Sequence, residues 1–331
     1  GALFFGFSPS IWILKFSRLM IGFGSAFAFV SMAYICAHYF SEKRRTLLLG
    51  LANSVGMLGA VCGTASLNYF TISYGWRSSM GSLGIVGVLF AITLFFIIGK
   101  TSHANSLPFK RLLGNLKKLM KNPYTWINGI IALLYYATTT AFGGLWGVPF
   151  LERAYGLSTM QASSCISMIF IGWLVGGPIV GLVSDYISER KTLLLWGTFF
   201  TFVSLFILLY ITSIPLFAIY LLIFSIGFFS SAQLLCFTIS VEINSKKVKA
   251  SALALTNSMV AFGGALLQPI TGFLLDYHWD GYMKDGIRVY SSADYQSALS
   301  ILPLCLAIAF IFVLVLKEKK HPEHAEEQLI N

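Results

Sequence analysis

The side chains able to do chemistry fall into two groups, an uncharged set deep inside apolar stretches and a charged set at their ends. The deep set is Asn53, Thr138, Thr139, Thr140, Gln233, Asn257 and Gln268, with Tyr34, Tyr135, Tyr136 and Trp173 as aromatic neighbours. Uncharged donors and acceptors beside aromatic walls suit hydrogen bonding to a small organic solute or to a neighbouring helix. Tyr136 and Thr140, four residues apart, share one helix face. None of the 13 acids lies in the middle of a stretch, and the five His (His38, His103, His278, His321, His324) are terminal or in connections. Catalysis would need a nucleophile with its base, or clustered metal ligands, at one depth. Neither is present, so no enzymatic activity, metal or cofactor is expected. Proton or sodium carriers are usually intramembrane carboxylates; here only Arg18 and His38 could stand in. The five Cys never take CxxC spacing and read as small apolar packing residues.

The elements that must position these residues are nine apolar stretches, at 14–38, 45–70, 78–99, 125–148, 160–183, 191–210, 215–238, 249–275 and 297–316. Each reaches the roughly 20 residues that cross a bilayer. Residues 1–8 resemble the tail of a further helix, and the chain reads as a fragment. The chain is 56% hydrophobic and 11% charged, less than half the charge of a typical soluble domain. Of its 23 Lys and Arg, 17 lie in alternate connections and the C-terminal tail. The opposite connections hold only Lys15, Arg18, Arg77, Arg153, Lys284 and Arg288. Basic residues stay on the cytoplasmic side during insertion, which puts the C-terminus in the cytoplasm. The net charge of +10 is thereby explained by topology and the lipid bilayer rather than by nucleic acid. The external loops carry no glycosylation acceptor, which fits a bacterial cytoplasmic (inner) membrane.

The internal loop 100–124 predicts an amphipathic helix on the inner leaflet. Phe109, Leu112, Leu113, Leu116, Leu119 and Met120 recur at helical spacing opposite Lys110, Arg111, Lys117, Lys118 and Lys121. It divides the chain into an N-terminal part (1–99), a linker (100–124), a C-terminal part (125–316) and a tail (317–331). The two large parts repeat each other. The run from Arg45 to Ser54 matches Lys249 to Ser258 at an offset of 204, pairing Asn53 with Asn257 and Gly59 with Gly263. Small residues form three stripes that would let helices approach closely. One is Ala52, Gly56, Gly59 or Ala60, and Gly63. The second is Gly172, Gly176, Gly177 and Gly181. The third is Ala250, Ala254, Ser258, Ala261 and Ala265.

Four motifs, in this order and at these positions, resemble the major facilitator superfamily over essentially the whole chain. Arg18 to Ala26, with Gly22 and Gly24, is similar to the family's R-x-x-x-G-x-G-x-A in its fourth helix. Tyr74 to Arg77 resembles the short outer loop between helices five and six. Gly181 to Lys191, containing Asp185 and Arg190, resembles G-x-x-x-D-[RK]-x-G-R-[RK] between helices eight and nine. Pro269 to Gly272 resembles the end of helix eleven. The resemblance implies an all-α polytopic bundle of two six-helix halves, of which this chain lacks the first two helices and most of the third. It further implies a monomeric secondary transporter, with the solute between the halves and Arg18 in coupling. Asp185 would pair with Arg190 or Lys191 to close the cytoplasmic side. Tyr186, Ser188 and Glu189 depart from the motif, and Glu189 is expected to weaken that closure.

Function then reads as proton-coupled uptake of an amino acid, organic acid or similar nutrient. Asn53, Tyr135, Tyr136, Thr140, Gln233 and Asn257 are the expected solute contacts. A drug or siderophore efflux antiporter is the alternative, although the fifth helix lacks the Gly-Pro pair of the drug antiporters. A transport-incompetent nutrient sensor on the same fold is a further one. The orientation has a direct test. In a Cys-less background, an impermeant thiol reagent on intact cells should modify a Cys placed at Ser291, in the loop 276–296, and spare one at Lys118. Modification at Lys118 contradicts the orientation.

Overall fold

A computed structural model describes residues 1–98, 109–187, 189–211, 213–245, 248–284 and 286–317. Lys100, Lys246, Lys247 and the tail from 318 lie outside them, as does the side chain of His38. Nine helical spans among the described residues are long and apolar enough to cross a membrane. With the bilayer offering no partner for backbone groups, helices that satisfy their own are the expected answer to such a sequence. In chain order the helices begin with α1 (Ala2–Gly6), α2 (Ile11–Tyr39), α3 (Glu42–Ile98) and α4 (Phe109–Met120). The expected stretches 45–70 and 78–99 are both parts of α3, broken only at Gly75. Its φ of 80° is open to glycine at little cost, which explains Gly within the Tyr74–Arg77 motif.

The next span is broken in its middle. Helix α5 (Pro123–Thr138) runs into a π-helical stretch, Thr139–Trp146, and continues as α6 (Gly147–Tyr155). The widened turn is held from α11: the Gln268 amide donates to the Thr140 carbonyl at 3.0 Å, and the Trp146 indole donates to the Gln268 carbonyl at 3.0 Å. After α7 (Thr159–Ile187) and α8 (Arg190–Tyr210), another span is interrupted. It consists of α9 (Leu216–Ser230), a 3-10 turn at Ser231–Leu234 and α10 (Leu235–Glu242). Helix α11 (Lys249–His278) leads to a two-residue hairpin, β1 (Met283–Lys284) with β2 (Ile287–Arg288), then α12 (Ser292–Leu299) and α13 (Ile301–Val315). Asp276 accepts from Arg288 at 2.7 Å and from Tyr290 at 2.5 Å, which pins this hairpin to the end of α11. The same bond raises the pKa of Tyr290.

Two compact units result, Gly1–Met32 with Gly59–Gly114, and Ala33–Leu58 with Asn115–Asn331. In the first, a Cβ on Gly6 would lie 2.6 Å from the Gly81 amide, so α1 and the later part of α3 meet backbone to backbone. In the second, Gly172 abuts the backbone of Phe224 and Phe228, and Gly227 abuts that of Ile169, joining α7 to α9. Of the three expected stripes, the one on α7 makes such contacts along its length. Gly56, Gly59 and Gly63 instead face open space, and Gly50, on the opposite side of the helix from their stripe, makes the close approach. Ala250, Ser258, Ala261 and Ala265 are exposed, while Gly263 and Gly264 carry the packing of α11 on Leu133 and Thr140.

Candidate functional site

In the second unit, the early turns of α3 lie along α7 on small residues. Gly50 abuts the Gly177 carbonyl, and a Cβ on Gly181 would stand 2.7 Å from the Cα of Leu47. The Ser54 hydroxyl donates to the Leu174 carbonyl at 2.7 Å, and Thr46 bonds Thr238 of α10 at 3.2 Å. This approach brings the Asp185 carboxylate to the Leu47 amide, which donates to it at 3.0 Å. Arg190 lies 3.8 Å from Asp185 and 2.9 Å from Glu242 at the end of α10. All three side chains are largely buried, Arg190 and Asp185 most of all. The two contacts of Arg190 are charge interactions; the Leu47 amide makes the hydrogen bond to Asp185.

Of the two basic residues expected to serve Asp185, the structure selects Arg190. Lys191 donates to the Leu314 carbonyl at 2.7 Å, at the end of α13. Glu189 is exposed and accepts from Thr192 at 2.9 Å. The acid that competes with Asp185 for Arg190 is therefore Glu242. Sequence reasoning passed over it because it is 52 residues further along the chain than Arg190; its place at the end of an apolar span was the available signal.

Deeper in the same unit, contacts at Gly177 with Gly50 and with Leu234 set the register of three helices. Asn53, Trp173 and Gln233 stand within about one helical turn of that level. Each is at least nine-tenths buried, and the Asn53 Nδ2, Trp173 Nε1 and Gln233 Nε2 atoms have no hydrogen-bond partner. Trp173 meets the Tyr136 ring edge to face at 5.6 Å between centroids. The adjacent Tyr135 is fully buried, and its hydroxyl donates to the Phe229 carbonyl at 2.6 Å with Thr201 at 3.3 Å. Its bonds join helices. Thr140 donates within its own helix to the Ala137 carbonyl at 3.1 Å, and Asn257 is half-buried. Of the expected contacts, Asn53, Gln233 and Tyr136 thus share a neighbourhood with Trp173.

In the first unit, the Arg18 guanidinium lies over the Phe5 ring at 4.7 Å. Together with Leu14, Thr71, Trp76 and Met80 these two residues line an open cavity of about 490 Å³. A cation over an aromatic face is attracted to it and keeps donors free for an anion. Gly22 and Gly24 face open space.

Nine apolar spans among the described residues, two of them broken at depth, define a multi-pass membrane protein. The chain belongs to the Major Facilitator Superfamily, whose sequence model matches residues 1–171 and 129–330. It is 24% identical over 331 residues to the membrane sensor protein UhpC of Escherichia coli K12, covering 91% of this chain and 73% of that protein. It is 25% identical to the probable galactarate/D-glucarate transporter GarP of the same strain, over 55% of this chain and 47% of GarP. The fucose:proton symporter FucP of E. coli shares the fold, with a TM-score of 0.65 at 15% identity over 96% of this chain and 82% of FucP.

The two basic residues make a contrasting pair. Arg190→Gln strands Asp185 and Glu242 and should cost about 3–5 kcal/mol of stability in detergent. Lys191→Gln should cost about 1 kcal/mol or less. Equal thermal unfolding of the two variants would contradict the pairing.

Proposed function

We propose that this protein is a secondary active transporter that takes up a small organic acid by alternating access, coupled to protons. The reading is carried by three buried N–H donors, on Asn53, Trp173 and Gln233, that have no acceptor in the protein. Unpaired buried donors are costly, and an acceptor-rich solute such as a hydroxylated carboxylate relieves that cost. GarP, a relative named for sugar diacids, supports the same solute class. Tyr136 supplies an apolar wall through Trp173, and Asn257 faces the solute as the repeat partner of Asn53. Arg18 takes part in coupling or attracts the anion. Asp185 and Arg190, together with Glu242, hold the cytoplasmic side closed. The protein is a monomer in a bacterial cytoplasmic membrane, with its C-terminus inside.

A second reading is favoured by one observation: the alignment with a membrane sensor protein spans 91% of this chain. A sensor on this fold would bind the solute without moving it. Uptake into proteoliposomes separates the two. Radiolabelled galactarate or glucarate should accumulate when the interior is made alkaline, whereas a sensor would bind label and accumulate none. Asn53→Ala, Gln233→Ala and Trp173→Phe should each weaken solute affinity several-fold, about 1 kcal/mol or more per lost hydrogen bond. Asn257→Ala is expected to act likewise. Unchanged affinity in correctly inserted variants would return these residues to helix packing.

A further inference from the structure

Helix α4 and the start of α5 form a surface that solute transport leaves without a role. Leu119, 1% exposed, packs against Val248 and Ala252, with Leu255 beside them. About 100° round the helix from it stands Met120, 56% exposed. Lys117 and Lys121, four residues apart, occupy the adjoining face, and Lys118 lies further round. All three lysines are exposed, and among the described residues no carboxylate pairs with them.

The surface is held in place. The Trp126 indole donates to the Met120 carbonyl at 2.9 Å, closing the end of α4. Asn122 caps α5 by accepting from Tyr124 at 3.1 Å, and its amide donates to the Ile243 carbonyl and the Asn244 side chain, both at 3.2 Å. Thr125 adds a bond to Asn244 at 3.1 Å. Lys317 lies over the Tyr124 ring at 5.7 Å. The elbow thus fixes α4 to the end of α10 with its lysines outward and Met120 and Trp126 exposed beside them.

A helix that merely crossed water would gain nothing from exposing Met and Trp next to unpaired lysines. That combination matches the boundary between headgroups and acyl chains, where apolar edges and indoles bury and Lys reaches phosphate. We propose that this surface binds an anionic phospholipid, its phosphate held by Lys117 and Lys121 with Lys118 beside them, and its acyl chains against Met120 and Trp126. Because the elbow is bonded to α10, the bound lipid anchors the inner ends of α5 and α10.

Trp126 reports on this contact. The protein is reconstituted in phosphatidylcholine vesicles containing a small share of acyl-brominated phosphatidylglycerol, or the same share of brominated phosphatidylcholine. Trp126 emission is the difference between the parent and Trp126→Phe. Brominated phosphatidylglycerol should quench it several-fold more at low salt, and Lys117→Gln with Lys121→Gln should bring quenching to the phosphatidylcholine level. About five-fold per lysine is the upper bound on the preference. Equal quenching by the two lipids in the parent overturns the proposal without recourse to any lysine variant. So does a preference that survives in a folded lysine variant. Loss of the preference on adding inorganic phosphate at matched ionic strength assigns the lysines to a soluble anion and also overturns it.

Discussion

Asp185 is buried where the Leu47 amide and the Arg190 guanidinium meet. A carboxylate in that place is tolerable only while both partners stay within reach. Losing one partner of a buried charge costs several kcal/mol, as much as truncating a large buried apolar side chain. The position is available because Gly50, Gly177 and Gly181 carry no side chains and let α3 and α7 touch along their backbones. Glu242 then shares Arg190, which ties the end of α10 to the same point. Three helices are therefore registered by one arginine and one carboxylate at one end of a seam of small residues.

That register has a consequence higher in the seam. Asn53, Trp173 and Gln233 are brought to a common level with their donors unpaired, beside a turn of α9 and α10 that is already 3-10 rather than α. The span opposite is widened at Thr139–Trp146, and Gln268 satisfies the carbonyl this releases. Breaks of this kind are tolerated within a membrane where side chains replace the lost backbone bonds. In the proposed reading they mark the depth at which helices give up regularity for a solute.

Much of the architecture was legible because lipid imposes a simple demand: a helix that crosses must be apolar and long. Spans, their order and the Gly75 break followed from that and from one glycine. The Asp185–Arg190 pair was legible because its members are five residues apart in one motif. What was not legible is which face a residue takes. A span that is apolar on all sides gives no sense of rotation, so Tyr135 and Tyr136, adjacent and at one depth, looked equivalent. Only packing shows that the Tyr135 hydroxyl is consumed by Phe229 and Thr201. Gly56, Gly59 and Gly63 were misread for the same reason: their spacing fits a seam, but the seam runs along the opposite face through Gly50 and Ser54. Glu242 was missed because pairing across helices leaves no trace in local spacing.

The central claim is that the Asp185 junction holds the cytoplasmic side closed, and a distance across it tests that most directly. Spin labels at Arg44 and Tyr186, on either side of the seam at its Asp185 end, can be measured by double electron–electron resonance in the reconstituted protein, with and without Asp185→Asn. The account predicts one short distance in the parent and, in the variant, a second and longer population with unchanged membrane insertion. Identical distributions in the two proteins would contradict it.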